Sequence, residues 1–420
     1  MLRYLTAGES HGKGLVVIVE GLPAGLPVTV DDIGNELARR RLGYGRGPRM
    51  KFEADEITLL AGIRHGRTLG SPVAIEIGNS EWERKWTEEM SPHPGATTQR
   101  LTTPRPGHAD LTGMQKYALD DARDVLERAS ARETAARVAA GAVAKQLLSH
   151  LGTEVGSHVI QLGSVRAAAS VRPGPGGFGA VDESEVRCLD ADAAAAMVAA
   201  IVAAQKAGDS LGGVVEVVAH GVPIGLGSHV HWDRKLDGLL AQALLSIQAV
   251  KGVEIGDGFD VAGRPGSAAH DPIVWDAERS MYRRTSSNAG GIEGGMSTGE
   301  ALVAHVAMKP LATLNRPVLA TVDTATKEAG VSFRERTDVT AVPAMGVVAE
   351  AMSALVLASE SLRKFGGDSL GEFVRNHAAF VAPVRAQSAR IDTTAGLEVE
   401  AAPLNWNETE AFDGTGPSRS

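Results

Sequence analysis

Residues Ser130–Ala144 read SARETAARVAAGAVA, and the rest of the chain is organised around them. From Val138 to Ala144 no position on any face carries a polar side chain. A helix that is apolar all round is buried, usually between layers. Gly152 supplies its stop. At the start, Ser130 with Glu133 three residues on has the capping-box pattern, each side chain satisfying an orphan backbone N–H of the other. Such a cap contributes about 1 kcal/mol. It also predicts that Arg128 and Arg132 flank the positive end of a helix, where an anion is held. Upstream, Arg105-Pro-Gly-His108-Ala-Asp110 holds a histidine in a rigid turn. A constrained histidine beside an arginine-flanked helix start points to acid–base chemistry on a phosphate ester. An ordinary turn followed by an ordinary cap is the competing reading.

A length of 420 residues suggests two or three domains, yet no clean linker interrupts the chain before its tail. Aromatics are scarce at 4% and glycines number 49, so the core must be aliphatic with close backbone approaches. A net charge of −9 opposes nonspecific nucleic-acid binding and makes local basic clusters sites for small anions. The single cysteine, Cys188, excludes an intramolecular disulfide and a cysteine-based metal cluster, and suits a reducing compartment. The N-terminus lacks a signal-peptide core, and the longest uninterrupted apolar run, Ala193–Ala204, is too short to span a bilayer. These features lead us to expect a soluble cytoplasmic protein, not bound to membrane or nucleic acid.

Along the chain, Gly8-Glu-Ser10-His11-Gly12 is a tight polar loop before a strand at Leu15–Val19. Thr29 caps a helix with Ile33 and Leu37 on one face, which ends in Arg39, Arg40 and Arg41. Arg46 and Arg49 follow on a glycine loop, where side chains can converge on an anion; a solvated charge run is the alternative. Pro72–Ile77 reads as a strand and Asn79–Thr103 as a surface loop. The loop at Arg172 suggests no chemistry. An alanine-rich helix, a strand at Leu211–His220 and a helix at Ala241–Val250 ending near Gln248 and Ala249 come next. Ser286–Gly299 holds Asn288 and two Gly-Gly pairs that let backbone approach a ligand, although it fits neither the P-loop nor the Rossmann fingerprint. A strand at Ala301–Ala307, a turn at Lys309–Thr313 and an Arg336–Asp338 segment close the inventory. Val348, Ala351, Met352 and Leu355 mark an amphipathic helix ending at Lys364 and Gly366, and 401–420 reads as a disordered tail.

Taken together, Gly8–Gly12, Arg39–Arg46, Arg105–Asp110, Glu127–Thr134, Ser287–Gly295 and Arg336–Asp338 closely resemble the chorismate synthase family, in its order and through most of the chain. The resemblance implies conversion of 5-enolpyruvylshikimate 3-phosphate to chorismate and phosphate by a 1,4 anti-elimination that needs reduced FMN without net redox change. It implies an α+β fold, a β-α-β sandwich with helices packed between two antiparallel sheets, as one large domain over 1–400. A homotetramer is implied as well. By similarity, His11 assists phosphate departure, His108 protonates reduced flavin, and Asp338, with the flavin's N5, takes the C6 proton. Arg39, Arg40, Arg46, Arg49, Arg132 and Ser10 would hold the substrate. Flavin contacts would be Arg128, Ala129, Ser130, Gln248, Ala249, Asn288, Gly295, Lys309, Pro310, Leu311, Ala312, Thr313 and Arg336. No metal is implied.

Two positions depart from the family's pattern. Its usual Lys-Pro-Ile-Ser-Thr reads Lys309-Pro-Leu-Ala312-Thr313 here, losing a hydroxyl at 312, and Val-Thr340 follows Asp338 where relatives often carry cysteine. NADPH enters indirectly, as the reductant of FMN. The absence of a dinucleotide fingerprint favours a separate flavin reductase over reduction by this chain. Two rivals stand beside this reading. A flavin reductase acting on a phosphorylated substrate would consume reduced flavin stoichiometrically. A non-catalytic anion or nucleic-acid binding module would give no reason for His11, His108 and Asp338.

Overall fold

Thr29 caps the helix Val30–Arg41 with a reciprocal capping box to Asp32, and the face carrying Ile33 and Leu37 is buried, as the sequence predicts. The computed structural model describes residues 2–46, 55–95, 97, 99–333 and 337–392. Arg49, Arg336 and the tail 401–420 lie outside the described residues.

The chain is a mixed α+β protein built on two main antiparallel sheets. The first holds Arg3–Gly8, Gly14–Glu20, Val73–Gly78 and Glu56–Ala61, in that spatial order. Alternate residues Leu15, Val17, Val19, Val73, Ile75 and Ile77 point to one fully buried face, as a period of two requires. The second holds Val250–Ile255, Leu302–Met308, Gly213–His220, Glu154–Leu162 and Val165–Arg166. The helix Thr134–Ser149 packs against the middle strands of the first sheet, and Val342–Phe365 against Glu154–Leu162 and Gly213–His220 of the second. The two helices pack on each other closely enough that a Cβ on Gly141 would stand 2.3 Å from that of Ala351. One aliphatic cluster runs from Leu2 to Phe373, unlike the several cores that length suggests.

Four local readings are corrected. Ser130 does accept the Arg132 N–H, but Glu133 turns to Thr6, Gln248 and Arg137 instead of returning to Ser130. Ser130–Glu133 is therefore a tight turn before the helix, and Arg128 lies in the last turn of the preceding helix, Arg123–Ala129. The helix expected at Ala241–Val250 is Leu236–Leu245, because Val250 opens a strand. The segment expected to be a surface loop at Asn79–Thr103 contains a short helix, Trp82–Trp86, whose last ring is buried. Val342–Phe365 is buried nearly all round instead of amphipathic. By length and composition it could cross a bilayer, which Ala193–Ala204 could not, and it forms the core here.

The first Gly-Gly pair, Gly290-Gly291, does not lie open for a ligand. Gly290 and Gly291 take positive φ and abut the backbone of Gly256 and Ala301 at distances that a Cβ would close below 2.5 Å. Their freedom lets the chain approach itself.

Candidate active site

The polar loop after the first strand is held from beneath by Glu127. Its Oε2 accepts the backbone N–H of His11 at 2.8 Å, and its Oε1 lies 2.9 Å from His11 Nδ1. The imidazole stacks on Trp86 with ring centres 4.0 Å apart. Burial alone would raise the Glu127 carboxyl, but the bonds from His11 and the charge of Arg123 hold it below the ordinary range. Ser10 donates its N–H to the Glu127 carbonyl at 3.0 Å, and its hydroxyl meets that of Ser130 at 3.2 Å.

Two of the predicted arginines come to the same turn. Arg40 donates to Thr134 Oγ1 at 3.0 Å and to the Ala131 carbonyl at 2.9 Å. Arg132 donates to Asn79 Oδ1 at 3.0 Å, to Asp55 at 2.5 Å and to the Gly78 carbonyl at 3.1 Å. Asn79 also binds the carbonyls of Glu9 and Gly12, which ties Arg132 to the His11 loop. Arg46 pairs with Asp338 at 3.4 Å, so a predicted substrate arginine and the predicted base meet.

Arg39 does not join them. Its guanidinium is taken by Glu36, Asp182 and Glu350, in a buried network that Lys145 and Arg187 complete. Successive helical residues are ~100° apart around the axis, so Arg39 and Arg40 cannot face the same way. Arg39 therefore points toward Glu350, away from the Ala131–Thr134 turn that Arg40 reaches.

His108 sits in a second clamp. Its Nδ1 contacts Asp110, and Arg105 donates to the same carboxylate at 2.8 and 3.0 Å. Burial alone would raise Asp110, but the bonds from His108 and Arg105 and the Arg105 charge hold it far below the usual range. Arg105 also donates to Thr313 Oγ1 at 2.9 Å, and Lys309 Nζ to the Gly107 carbonyl at 2.7 Å. The histidine turn and the Lys309–Thr313 turn, which includes Pro310, Leu311 and Ala312, are thus one unit. Lys309 N–H in turn donates to the carbonyl of Ala249, which is held at a left-handed φ of 66°. Gln248 donates to Glu133 at 3.0 Å, and Glu133 accepts from Thr6 at 2.8 Å. Arg128 donates to the carbonyls of Thr6 and Gly8 from the helix end that carries Ala129 and Ser130. A continuous polar path therefore joins the His108 turn to the Ser130 turn.

Asn288 and Gly295 are spent on local turns: Asn288 holds the Ala269 carbonyl at 3.2 Å, and the Gly295 carbonyl accepts the Leu236 N–H at 2.9 Å. Sequence reading assigned no role to Glu127, Trp86, Asp110, Arg105 or Asn79. The spacing His-Ala-Asp at 108–110 was an available signal for Asp110; Trp86 and Asn79 reach the site only through tertiary packing.

The residues suit a flat heteroaromatic cofactor. Gln248 Oε1 is buried with no hydrogen-bond partner among the described residues, an acceptor set for a ring N–H, and Ala249 beside it adopts a strained backbone.

A family model described as chorismate synthase matches residues 2–362. The chain is 60% identical over 394 residues to a chorismate synthase of Nocardioides sp., covering 92% of this chain and 100% of that one. It is 59% identical over 386 residues to a chorismate synthase of Thermobifida fusca, covering 90% and 97%. A crystal structure of a chorismate synthase superposes with a TM-score of 0.74 at 41% identity, over 92% of this chain and 98% of that one. On these matches the chain belongs to the chorismate synthase family, lyases of the shikimate pathway that convert 5-enolpyruvylshikimate 3-phosphate to chorismate and phosphate.

Proposed function

We propose that this chain carries out its 1,4 anti-elimination where Ser10, His11, Arg40 and Arg132 converge, with reduced FMN held by the neighbouring Arg128–Ser130, Gln248–Ala249 and Lys309–Thr313 segments. The observation that carries this reading is the pairing of two carboxylate-clamped histidines joined through Glu133, Gln248 and Lys309. A departing phosphate dianion needs cations and a proton. Arg40 and Arg132 supply the first, each charge-assisted hydrogen bond contributing roughly 1.5–3 kcal/mol. His11 holds the proton for the leaving group, and His108 holds a second at the flavin side. Asp338 takes the C6 proton, with Arg46 orienting its carboxylate. Reduced FMN, when bound, supplies transient electron density to the substrate.

The wider reading is a catalytic unit over 1–400, a β-α-β sandwich whose middle layer is the pair of buried helices. It acts in the cytoplasm as a homotetramer, and NADPH serves only through a separate flavin reductase. Exposed Leu5, Trp232, Phe259 and Ile273 are apolar surface that neighbouring copies would cover.

The test is anaerobic: protein, chemically reduced FMN and 5-enolpyruvylshikimate 3-phosphate, with chorismate absorbance and free phosphate followed together. Equal amounts of both over many turnovers, with flavin reduced at the end, support the lyase. Flavin oxidation in step with product would favour a reductase, and bound flavin without product would reduce the reading to an anion site. Arg46→Ala is expected to weaken substrate binding by about tenfold or more. An unchanged substrate dissociation constant removes Arg46 from the site.

A further inference from the structure

We infer that Glu127 is a positioning residue that fixes which ring nitrogen of His11 carries the transferable proton. An ionised carboxylate only accepts hydrogen bonds. One oxygen of Glu127 accepts the His11 backbone N–H at 2.8 Å, which anchors the loop, and lies 3.1 Å from Nδ1. The other faces Nδ1 at 2.9 Å, so Nδ1 must donate. The neutral ring is therefore the Nδ1–H tautomer, and Nε2 is the nitrogen that gains and loses a proton. Three features keep Glu127 in that role. Its side chain is 2% exposed, Arg123 Nη1 donates to Oε1 at 3.2 Å, and Trp86 stacked on the imidazole resists a ring flip. The carboxylate is also held ionised by the same partners.

The chemistry needs this assignment. A proton delivered to a departing phosphate oxygen must leave from one defined atom, and a ring of the wrong tautomer presents an N–H where a lone pair should be reloaded. The inference rests on the reading that His11 is the donor.

Glu127→Gln separates the possibilities because it removes the negative charge that favours an Nδ1–H donor and leaves one acceptor oxygen for the backbone N–H and Nδ1–H to share. The bond to Nδ1 loses its charge assistance, so the preference for the Nδ1–H tautomer weakens. Turnover is expected to fall on the order of 10²–10⁴-fold, the range for removing a carboxylate that orients a catalytic imidazole. KM should stay within about threefold, since substrate contacts are untouched. Glu127→Asp, which keeps both acceptors on a shorter arm, should recover part of the loss.

The decisive comparison is His11→Ala, Glu127→Gln and their double variant. A double no slower than His11→Ala alone means that Glu127 acts through His11, as inferred. A double slowed by the product of the two single effects would overturn the inference while leaving His11 as donor. Normal turnover in His11→Ala would sink the donor reading and the inference with it, whatever Glu127→Gln does. An independent check uses the full-length wild-type protein. The ¹⁵N shifts of the His11 ring, assigned against His11→Ala, should show the proton on Nδ1 in the neutral form. A proton on Nε2 overturns the inference even if Glu127→Gln fails to fold.

Discussion

His108→Ala is expected to cut turnover at least about 10²-fold while substrate binding stays nearly intact. The expectation is sharp because the clamp survives the substitution. Asp110 keeps its two bonds from the Arg105 side chain and a third from the Arg105 backbone at 3.1 Å. Arg105 also keeps Thr313, so the Lys309–Thr313 turn stays docked. What disappears is the imidazole, the clamp's proposed proton donor to the flavin. The measurement is kcat under anaerobic conditions beside the substrate dissociation constant. Normal turnover would remove His108 from the chemistry, and a loss confined to binding would make it a structural residue.

Glu350→Gln should destabilise the fold by about 3–5 kcal/mol at neutral pH, because it leaves buried cations without their central partner. Glu350 is fully buried and accepts from Arg39 at 2.7 Å, Lys145 at 2.6 Å, Arg187 at 2.9 Å and Ser157 at 2.7 Å. Burial alone would raise its carboxyl, but the charges of Lys145, Arg39 and Arg187 outweigh burial and hold it far below the usual range. A depressed folded value means that the carboxylate's contribution is complete above the ordinary glutamate value of 4.5 and is lost as pH falls through the lower folded value. The stability gap between wild type and variant, read from urea unfolding, should be full at neutral pH and narrow below about pH 4.5. A gap that is absent at neutral pH, or that widens with acid, would contradict the role given to this network.

Much of the scaffold was legible in the sequence because period-two and all-apolar patterns are local. Leu15–Val19, Pro72–Ile77 and Leu211–His220 lie where strands are observed, and the polar-free run after Ser130 lies in the buried helix Thr134–Ser149. Partnerships set by tertiary packing were not legible. Arg39, Arg40 and Arg41 look equivalent in a line of text, yet helical rotation sends Arg39 to Glu350 and Arg40 to the Ala131 carbonyl. Glu133 fits a capping pattern, but Thr6 and Gln248, distant in sequence, compete for it and win. Gln248 itself was expected at a helix end; the strand starting at Val250 claims that stretch first.

The close contact of Gly141 with Ala351 bears on how the molecule comes apart. Among the described residues, the two main sheets are separate hydrogen-bonded ladders, each packed on one of two helices that pack on each other. Opening either ladder uncovers its own helix and loosens the interface that the two helices share. Slow amide exchange in Gly14–Glu20 and in Glu154–Leu162 should therefore report one shared opening event, with equal free energies and equal sensitivity to denaturant.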